Sequence, residues 1–286
     1  MKKILFVFLL LLIGKLFAQT PAEYFKVTIP KGYLSKMDEV YSIIGDWRGR
    51  EDIFYNPTAS KPTPIVFNIH GGGWRVGAKE DQSGFGGFFN NGFAVANIEY
   101  RLSDVAPAPA AVEDVRAAIL YVVEHAKMFN INPDKIVIMG SSAGAHLALM
   151  AGLLQKDHRF DGTFKNIENF TIKAIIDKYG PTDLTLPGVE RNKSAALWLG
   201  NYIGNKNLLA SVSPIYYVKK SSPPVLIIHG DADKIVPYQQ SVELHKKLEE
   251  EGVKNQLITI TGGGHGLNGK NKEIGEGIEA FLKEVL

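Results

Sequence analysis

Cysteine is absent from the 286-residue chain. Without it no disulfide can form, no zinc site with paired cysteines can be built, and no lipid can be attached through an amino-terminal cysteine. A domain of this length does not need disulfides, because it can bury a large apolar core. The absence is therefore compatible with folding in an oxidising compartment.

Excess charge and metal-binding motifs are also missing. The formal net charge is +2, and it falls to −1 if the three lysines of the leader described below, Lys2, Lys3 and Lys15, are removed. This balance gives no basis for charge-driven binding to nucleic acid or to a membrane surface. The seven histidines are scattered, without a His-Glu-x-x-His spacing, so we expect no metal and no cofactor.

Long apolar runs are confined to the amino terminus. Two lysines precede a run from Ile4 to Ile13, and Leu16-Phe-Ala18 ends in a small residue, which is typical of a secretory signal peptide. The run is about half as long as a membrane span needs. We therefore predict a signal peptide over residues 1–18, a secreted or periplasmic protein with no membrane anchor after cleavage, and a single α/β domain over 19–286.

A serine between two glycines is the first feature that carries chemistry. Gly140-Ser-Ser-Ala-Gly144 reads G-x-S-x-G and lies between an apolar, strand-like run, 135–139, and a helix-like run, 146–150. A serine that acts as a nucleophile projects from a tight strand-to-helix turn, where flanking glycines give clearance. The pattern alone also occurs in ordinary turns; the strand and helix around it favour Ser142 as a nucleophile.

Three adjacent glycines follow the strand-like run 65–69 in His70-Gly-Gly-Gly-Trp74. Attack of a serine on an ester carbonyl places negative charge on the carbonyl oxygen, which main-chain N–H groups must meet at about 3 Å. Glycines allow the backbone to come this close. We expect Gly72, Gly73 and Ala143 to form this oxyanion hole.

An acid and a histidine should follow the serine in that order. The strand-like run 224–230 leads into a loop with two candidate acids, Asp231 and Asp233, and the next strand, 256–260, leads into a glycine-rich loop with His265. His265 is the predicted general base. His245 lies on a helix face, and His146 follows Ser142 by one helical turn, which puts it below the serine and not across from it.

These segments together resemble the α/β-hydrolase superfamily, in particular hormone-sensitive-lipase-like esterases and bacterial feruloyl and acetyl-xylan esterases. The resemblance covers nearly the whole chain after the leader. It rests on His70-Gly-Gly-Gly-Trp74, Asn97-Ile-Glu-Tyr-Arg-Leu102, Gly140-Ser-Ser-Ala-Gly-Ala-His-Leu147, Tyr179-Gly-Pro-Thr-Asp-Leu184, His229-Gly-Asp-Ala-Asp-Lys-Ile-Val-Pro237 and His265.

The resemblance implies an α/β-hydrolase fold, a mostly parallel central sheet with helices on both faces. It also implies a serine hydrolase in which Ser142 attacks, His265 transfers protons and Asp233, in preference to Asp231, orients His265. We expect further strands at 25–29, 50–55, 93–98 and 171–176, and helices at 110–129 and 273–285. Residues 181–223, rich in proline, are expected to form a small lid over the site, with Trp74, Asp183 and Trp198 as candidate substrate contacts.

The substrate is the least determined part of the sequence interpretation, because every acyl ester presents the same carbonyl to the serine. Export, a small lid and the resemblance favour acetyl or feruloyl esters of plant polysaccharide, or other small acyl esters. A lipase, amidase or peptidase with the same triad remains open, as does a non-catalytic binding protein on the same fold. Nothing in the sequence predicts the oligomeric state.

Overall fold

The protein is described by a computed structural model, which covers residues 27–164 and 166–286. The predicted signal peptide lies outside this range. Within it, no helix has the length and apolar character that crossing a membrane requires.

One eight-stranded sheet runs through the molecule in the order β1-β2-β4-β3-β5-β6-β7-β8. β2 pairs antiparallel with both β1 and β4, and all other neighbours are parallel. The strands are β1 (Leu34–Ile44), β2 (Trp47–Tyr55), β3 (Thr63–Ile69), β4 (Ala94–Ile98), β5 (Ile131–Ser141), β6 (Ile172–Lys178), β7 (Val225–Gly230) and β8 (Asn255–Ile260). This is the α/β-hydrolase fold, as the sequence predicted.

The apolar composition of the central strands is typical of a parallel sheet. All residues of β4 and β7 are buried, and β3 and β6 are buried at all but one or two positions. Strands that are covered on both faces read as continuous apolar runs, because helices pack on each side of a parallel sheet.

Helices cover both faces of the sheet. α2 (Ala110–Glu124), α3 (Ala143–Leu154) and α6 (Gln239–Glu250) bury their apolar sides in one core cluster, and α1 (Gly86–Asn90) and α7 (Asn271–Val285) bury theirs in another on the opposite face. Every residue of α3 is buried. α3 therefore fixes the turn that precedes it against the centre of the sheet.

Two predicted boundaries differ from the structure. Residues 27–29 of the expected strand at 25–29 are not in a strand. The first strand is β1, in which only Tyr41 is buried and which is held by antiparallel pairing with β2. The expected helix at 110–129 ends at Glu124, and Ile131 N–H closes the following turns by donating to Ala126 O at 2.9 Å. No glycine or proline marks the end of this helix, so the apolar spacing predicted a helix that extends beyond Glu124.

The segment 181–223 consists of short helices between β6 and β7. It contains α4 (Lys193–Leu199), α5 (Lys206–Ser211) and several 3-10 turns, and no strand. Trp198, Leu199 and Val212 are fully buried and join the main core cluster. The segment is therefore packed onto the domain at several points along its length.

Candidate active site

The turn between β5 and α3 carries Ser142 in a strained conformation. Its φ of 54° and ψ of −122° lie outside the regions that L-residues normally occupy, and its N–H donates to Lys178 O at 2.9 Å. A Cβ on Gly140 would come within 2.2 Å of Gly144 O, and one on Gly144 within 2.2 Å of Ile69 O. Both glycines are therefore required for the chain to pass this turn.

Ser142, His265 and Asp233 lie in one hydrogen-bonded row. His265 Nε2 is 2.9 Å from Ser142 Oγ, and His265 Nδ1 is 2.7 Å from Asp233 Oδ2. Since a carboxylate only accepts, Nδ1 carries the proton and Nε2 is left free to accept from the serine hydroxyl. The structure thus brings together the three residues that the sequence singled out as nucleophile, base and acid.

The side chain of Asp233 is fully buried. Burial alone would raise the pKa of its carboxyl, but hydrogen bonds outweigh it and hold the pKa below the ordinary value. His265 donates to Oδ2, and the main-chain N–H groups of Ile235 and Val236 donate to Oδ1 at 2.7 and 3.0 Å. Asp233 is therefore a fixed carboxylate at neutral pH.

Asp231, the alternative acid, is exposed and serves another contact. Its Oδ1 accepts a hydrogen bond from Gly262 N–H at 2.7 Å. This bond joins the loop after β7 to the loop that carries His265. Asp231 thus braces the histidine loop, while Asp233 contacts the imidazole itself.

The glycine loop after β3 approaches the serine turn closely. Gly72 and Gly73 have φ values of 114° and 61°, and a Cβ on Gly72 would meet Val76 O at 1.9 Å. Within residues 27–164 and 166–286, the N–H groups of Gly72, Gly73 and Ala143 donate no hydrogen bond. All three residues line the same cavity as Ser142 and His265, so the cavity that holds the serine hydroxyl also contains residues with unused N–H donors.

This cavity has a volume of about 630 Å³ and a largely apolar wall. The segment 181–223 supplies much of that wall, through Pro181, Leu184, Leu186, Pro187, Gly188, Val189, Asn192, Ser194 and Ala195. Tyr179 packs edge-on against His265, with ring centroids 4.8 Å apart. The space suits a small acyl group beside Ser142.

Of the three expected substrate contacts, the structure brings one to the cavity. Trp74 lines it. Trp198 does not: it is fully buried and stacks behind Trp74, with centroids 4.6 Å apart. Asp183 is also absent from the lining; its Oδ1 accepts hydrogen bonds from the N–H and the hydroxyl of Thr185. Trp198 therefore supports Trp74 from inside the core.

Comparison with known proteins identifies the family. The sequence model of the BD-FAE family matches residues 51–248. The chain belongs to the BD-FAE family. The match includes Ser142 and Asp233 and ends before His265.

Two curated relatives of this chain are named as an esterase and a probable carboxylic ester hydrolase. Esterase LipQ of Mycobacterium tuberculosis is 30% identical over 220 residues, which are 71% of this chain and 51% of LipQ. The probable carboxylic ester hydrolase LipM of the same organism is 28% identical over 94% of this chain and 65% of its own. The chain thus spans about half to two thirds of the length of these curated relatives.

A solved structure described as a truncated carbohydrate esterase from gut microbiota matches over nearly its full length. It superposes with a TM-score of 0.77 and 28% identity, covering 88% of this chain and 95% of the other. The fold of this chain thus has a solved counterpart of similar extent.

His229 is a residue that the sequence interpretation did not single out. It is fully buried, and its Nε2 lies 3.2 Å from Asp233 Oδ2 and 3.1 Å from Val236 O. A carbonyl only accepts, so Nε2 carries the proton and Nδ1 accepts from the Ser241 hydroxyl at 2.6 Å. Burial lowers the pKa of His229, which keeps the ring neutral. Asp233 Oδ2 therefore faces two imidazoles, of which only His265 reaches the serine.

Replacement of His229 by phenylalanine is expected to lower kcat about 10- to 100-fold while leaving KM nearly unchanged. Phenylalanine keeps a ring of similar size, but Asp233 loses the hydrogen bond that His229 donates. A hydrogen bond to a charged group contributes about 1.5–3 kcal/mol, which corresponds to this loss of rate. Steady-state kinetics on 4-nitrophenyl acetate measure the split. His245→Phe is the control, because the His245 ring is partly exposed and contacts Asn255 instead of Asp233. Equal losses of kcat in both variants would contradict a positioning role for His229.

Proposed function

We propose that this protein is a serine carboxylic ester hydrolase that uses Ser142, His265 and Asp233. The observation that supports this most is the 2.9 Å contact between His265 Nε2 and Ser142 Oγ, with Asp233 on the other side of the ring. A serine hydroxyl is a weak nucleophile until a base removes its proton. His265 is oriented for that role.

The proposed reaction has two halves. Ser142 Oγ attacks the ester carbonyl while His265 Nε2 takes its proton, and the negative charge on the former carbonyl oxygen is stabilised by the N–H groups of Gly72, Gly73 and Ala143. His265 then gives the proton to the leaving alcohol, and the acyl group stays on Ser142. Water, deprotonated by His265, attacks the acyl-enzyme, and the carboxylic acid leaves as Ser142 regains a proton.

Asp233 has an electrostatic role in both halves. His265 becomes an imidazolium each time it takes a proton, and the buried carboxylate stabilises this cation without accepting its proton. The lowered pKa of Asp233 keeps the carboxylate ionised while this happens.

For the substrate, we propose acetyl or feruloyl esters on plant polysaccharide. Support comes from the related structure described as a carbohydrate esterase and from a cavity of about 630 Å³ beneath a short-helix insertion, which suits a small acyl group while the alcohol part extends outward. The signal peptide predicted over residues 1–18 is a further argument for secretion or a periplasmic location, where such material is met.

Release of acetate and ferulate from arabinoxylan fragments tests the substrate. The protein is expected to release at least one of the two acids, and Ser142→Ala to release neither. Hydrolysis of 4-nitrophenyl acetate is measured in parallel. If the control ester is cleaved and the fragments are untouched, the mechanism stands and the polysaccharide substrate is wrong.

A further inference from the structure

Tyr179 begins the motif Tyr179-Gly-Pro-Thr-Asp-Leu184, which has no part in the reaction proposed above. It follows the end of β6 directly and has a φ of 50°. This left-handed conformation is rare for a bulky side chain. Strain of this kind persists only where the surrounding structure enforces it, and it is concentrated at active sites. The conformation of Tyr179 therefore calls for a functional explanation.

Hydrogen bonds on both sides hold the strained backbone in place. The carbonyl before Tyr179, Lys178 O, accepts from Ser142 N–H at 2.9 Å. The N–H of Tyr179 donates to a carbonyl of β7 at 2.8 Å, and the following N–H, that of Gly180, donates to Asp177 Oδ1 at 2.8 Å. The position of Tyr179 is therefore fixed relative to the serine turn.

The side chain of Tyr179 lies in the catalytic cavity against the general base. It lines the same cavity as Ser142 and His265, and its ring lies 4.8 Å from the His265 ring, at an interplanar angle of 67°. Within residues 27–164 and 166–286, no other aromatic ring packs on His265. The His265 side chain is 20% exposed, so hydrogen bonds and the Tyr179 ring must hold it beside open space.

The hydrogen bonds of His265 change during the proposed reaction. In the free enzyme, Nδ1 donates to Asp233 and Nε2 accepts from the Ser142 hydroxyl. In the acyl-enzyme, Ser142 Oγ is esterified and has no proton to donate, so the bond at Nε2 is lost. The imidazole then keeps one hydrogen bond, about which it can turn, and it is carried by a glycine-rich loop, 261–266. Ring packing thus matters most in the second half of the reaction.

We propose that Tyr179 is a positioning residue for hydrolysis of the acyl-enzyme. Its ring holds His265 beside the acyl group, where Nε2 takes a proton from water while the water oxygen attacks the acyl carbon. The bond from that carbon to Ser142 Oγ then breaks, and His265 returns the proton to Oγ. The inference rests on the function proposed above and concerns the aromatic ring of Tyr179, not its hydroxyl.

The ratio of acetylated to unmodified chain during turnover of 4-nitrophenyl acetate tests this proposal. The ratio is measured by rapid acid quench and intact mass, at saturating substrate. Tyr179→Ala should raise it about tenfold, because deacylation slows by about that factor while acylation changes less than about threefold. Tyr179→Phe, which keeps the ring, should return the ratio to within about twofold of wild type. An unchanged ratio in Tyr179→Ala, or an equal rise in Tyr179→Phe, would overturn the proposal.

The matched control is Tyr217→Ala, which removes a partly exposed tyrosine from the segment 181–223. Tyr217 donates to Ser211 O at 2.8 Å and does not line the catalytic cavity. The acetylated ratio of this variant should stay within about twofold of wild type, and a tenfold rise would contradict a specific role for Tyr179. If the alanine variant at 179 does not fold, Tyr179→Leu keeps apolar bulk without a ring and should raise the ratio in the same direction.

Hydroxylamine separates a misplaced base from other defects of the acyl-enzyme. It is a stronger nucleophile than water and depends less on a base to remove its proton. Added hydroxylamine should bring the deacylation rate of Tyr179→Ala to within about threefold of wild type under the same conditions. A tenfold gap that persists would place the defect outside His265 and contradict the proposal. Failure of the proposed function has a different signature, because wild type would then form no acetyl group on Ser142.

Discussion

Ser142→Ala is expected to lower kcat/KM for 4-nitrophenyl acetate roughly a million-fold, the loss typical of removing a triad nucleophile. Alanine keeps the Cβ and the main-chain N–H that donates to Lys178 O, so the turn should be preserved. The residual activity of Ser142→Ala should be that which the N–H donors and substrate binding provide without covalent catalysis.

The matched control for that variant is the neighbouring Ser141→Ala. Ser141 is the last residue of β5 and has no place in the row formed with His265. It is expected to retain activity within about tenfold of wild type. Near-wild-type turnover by Ser142→Ala, with an unchanged melting temperature, would refute the nucleophile assignment.

Asp233→Asn is expected to lower kcat about ten-thousand-fold, as is typical when a triad loses its orienting carboxylate. The asparagine Oδ1 can still accept from the N–H groups of Ile235 and Val236, so the loop should hold. The amide NH₂ would then face the donors of His265 and His229. His265 would have to turn its proton toward Ser142, which removes the base.

Asp231→Asn is the control for this change, two residues away in the same loop. Its amide oxygen can still accept from Gly262 N–H, and its side chain is exposed. Activity should stay within a few-fold of wild type. A large loss in Asp231→Asn with a small one in Asp233→Asn would reverse the choice of acid.

Local sequence patterns anticipated much of the fold and the site. Each loop of the site is defined by a few consecutive residues: the serine turn, the glycine loop, and the loops after β7 and β8. A strand that runs into a tight turn requires glycine there, which leaves the sequence of such a loop little freedom to vary. Parallel strands then bring their carboxyl ends to one edge of the sheet. Order along the chain was thus enough to relate Ser142, Asp233 and His265.

Features that depend on packing were not accessible in this way. β1 has a mixed sequence with no regular apolar alternation, buries only Tyr41, and is held by its pairing with β2. Trp198 is a large aromatic residue of the kind that often contacts substrate. Its stacking behind Trp74 depends on how the segment 181–223 folds back onto the domain. His229 is the first residue of the motif that contains Asp233, but the motif does not predict that the His229 ring contacts the Asp233 carboxylate.

Covalent labelling tests most directly the claim that Ser142 is the nucleophile. The protein is treated with a 4-nitrophenyl phosphonate ester, and the intact mass and a peptide map are compared with those of Ser142→Ala. We predict one phosphonyl group per chain, on Ser142, with activity lost in proportion to labelling, and no labelling of the alanine variant. Labelling on another residue, or full activity in a chain labelled at Ser142, would contradict the claim.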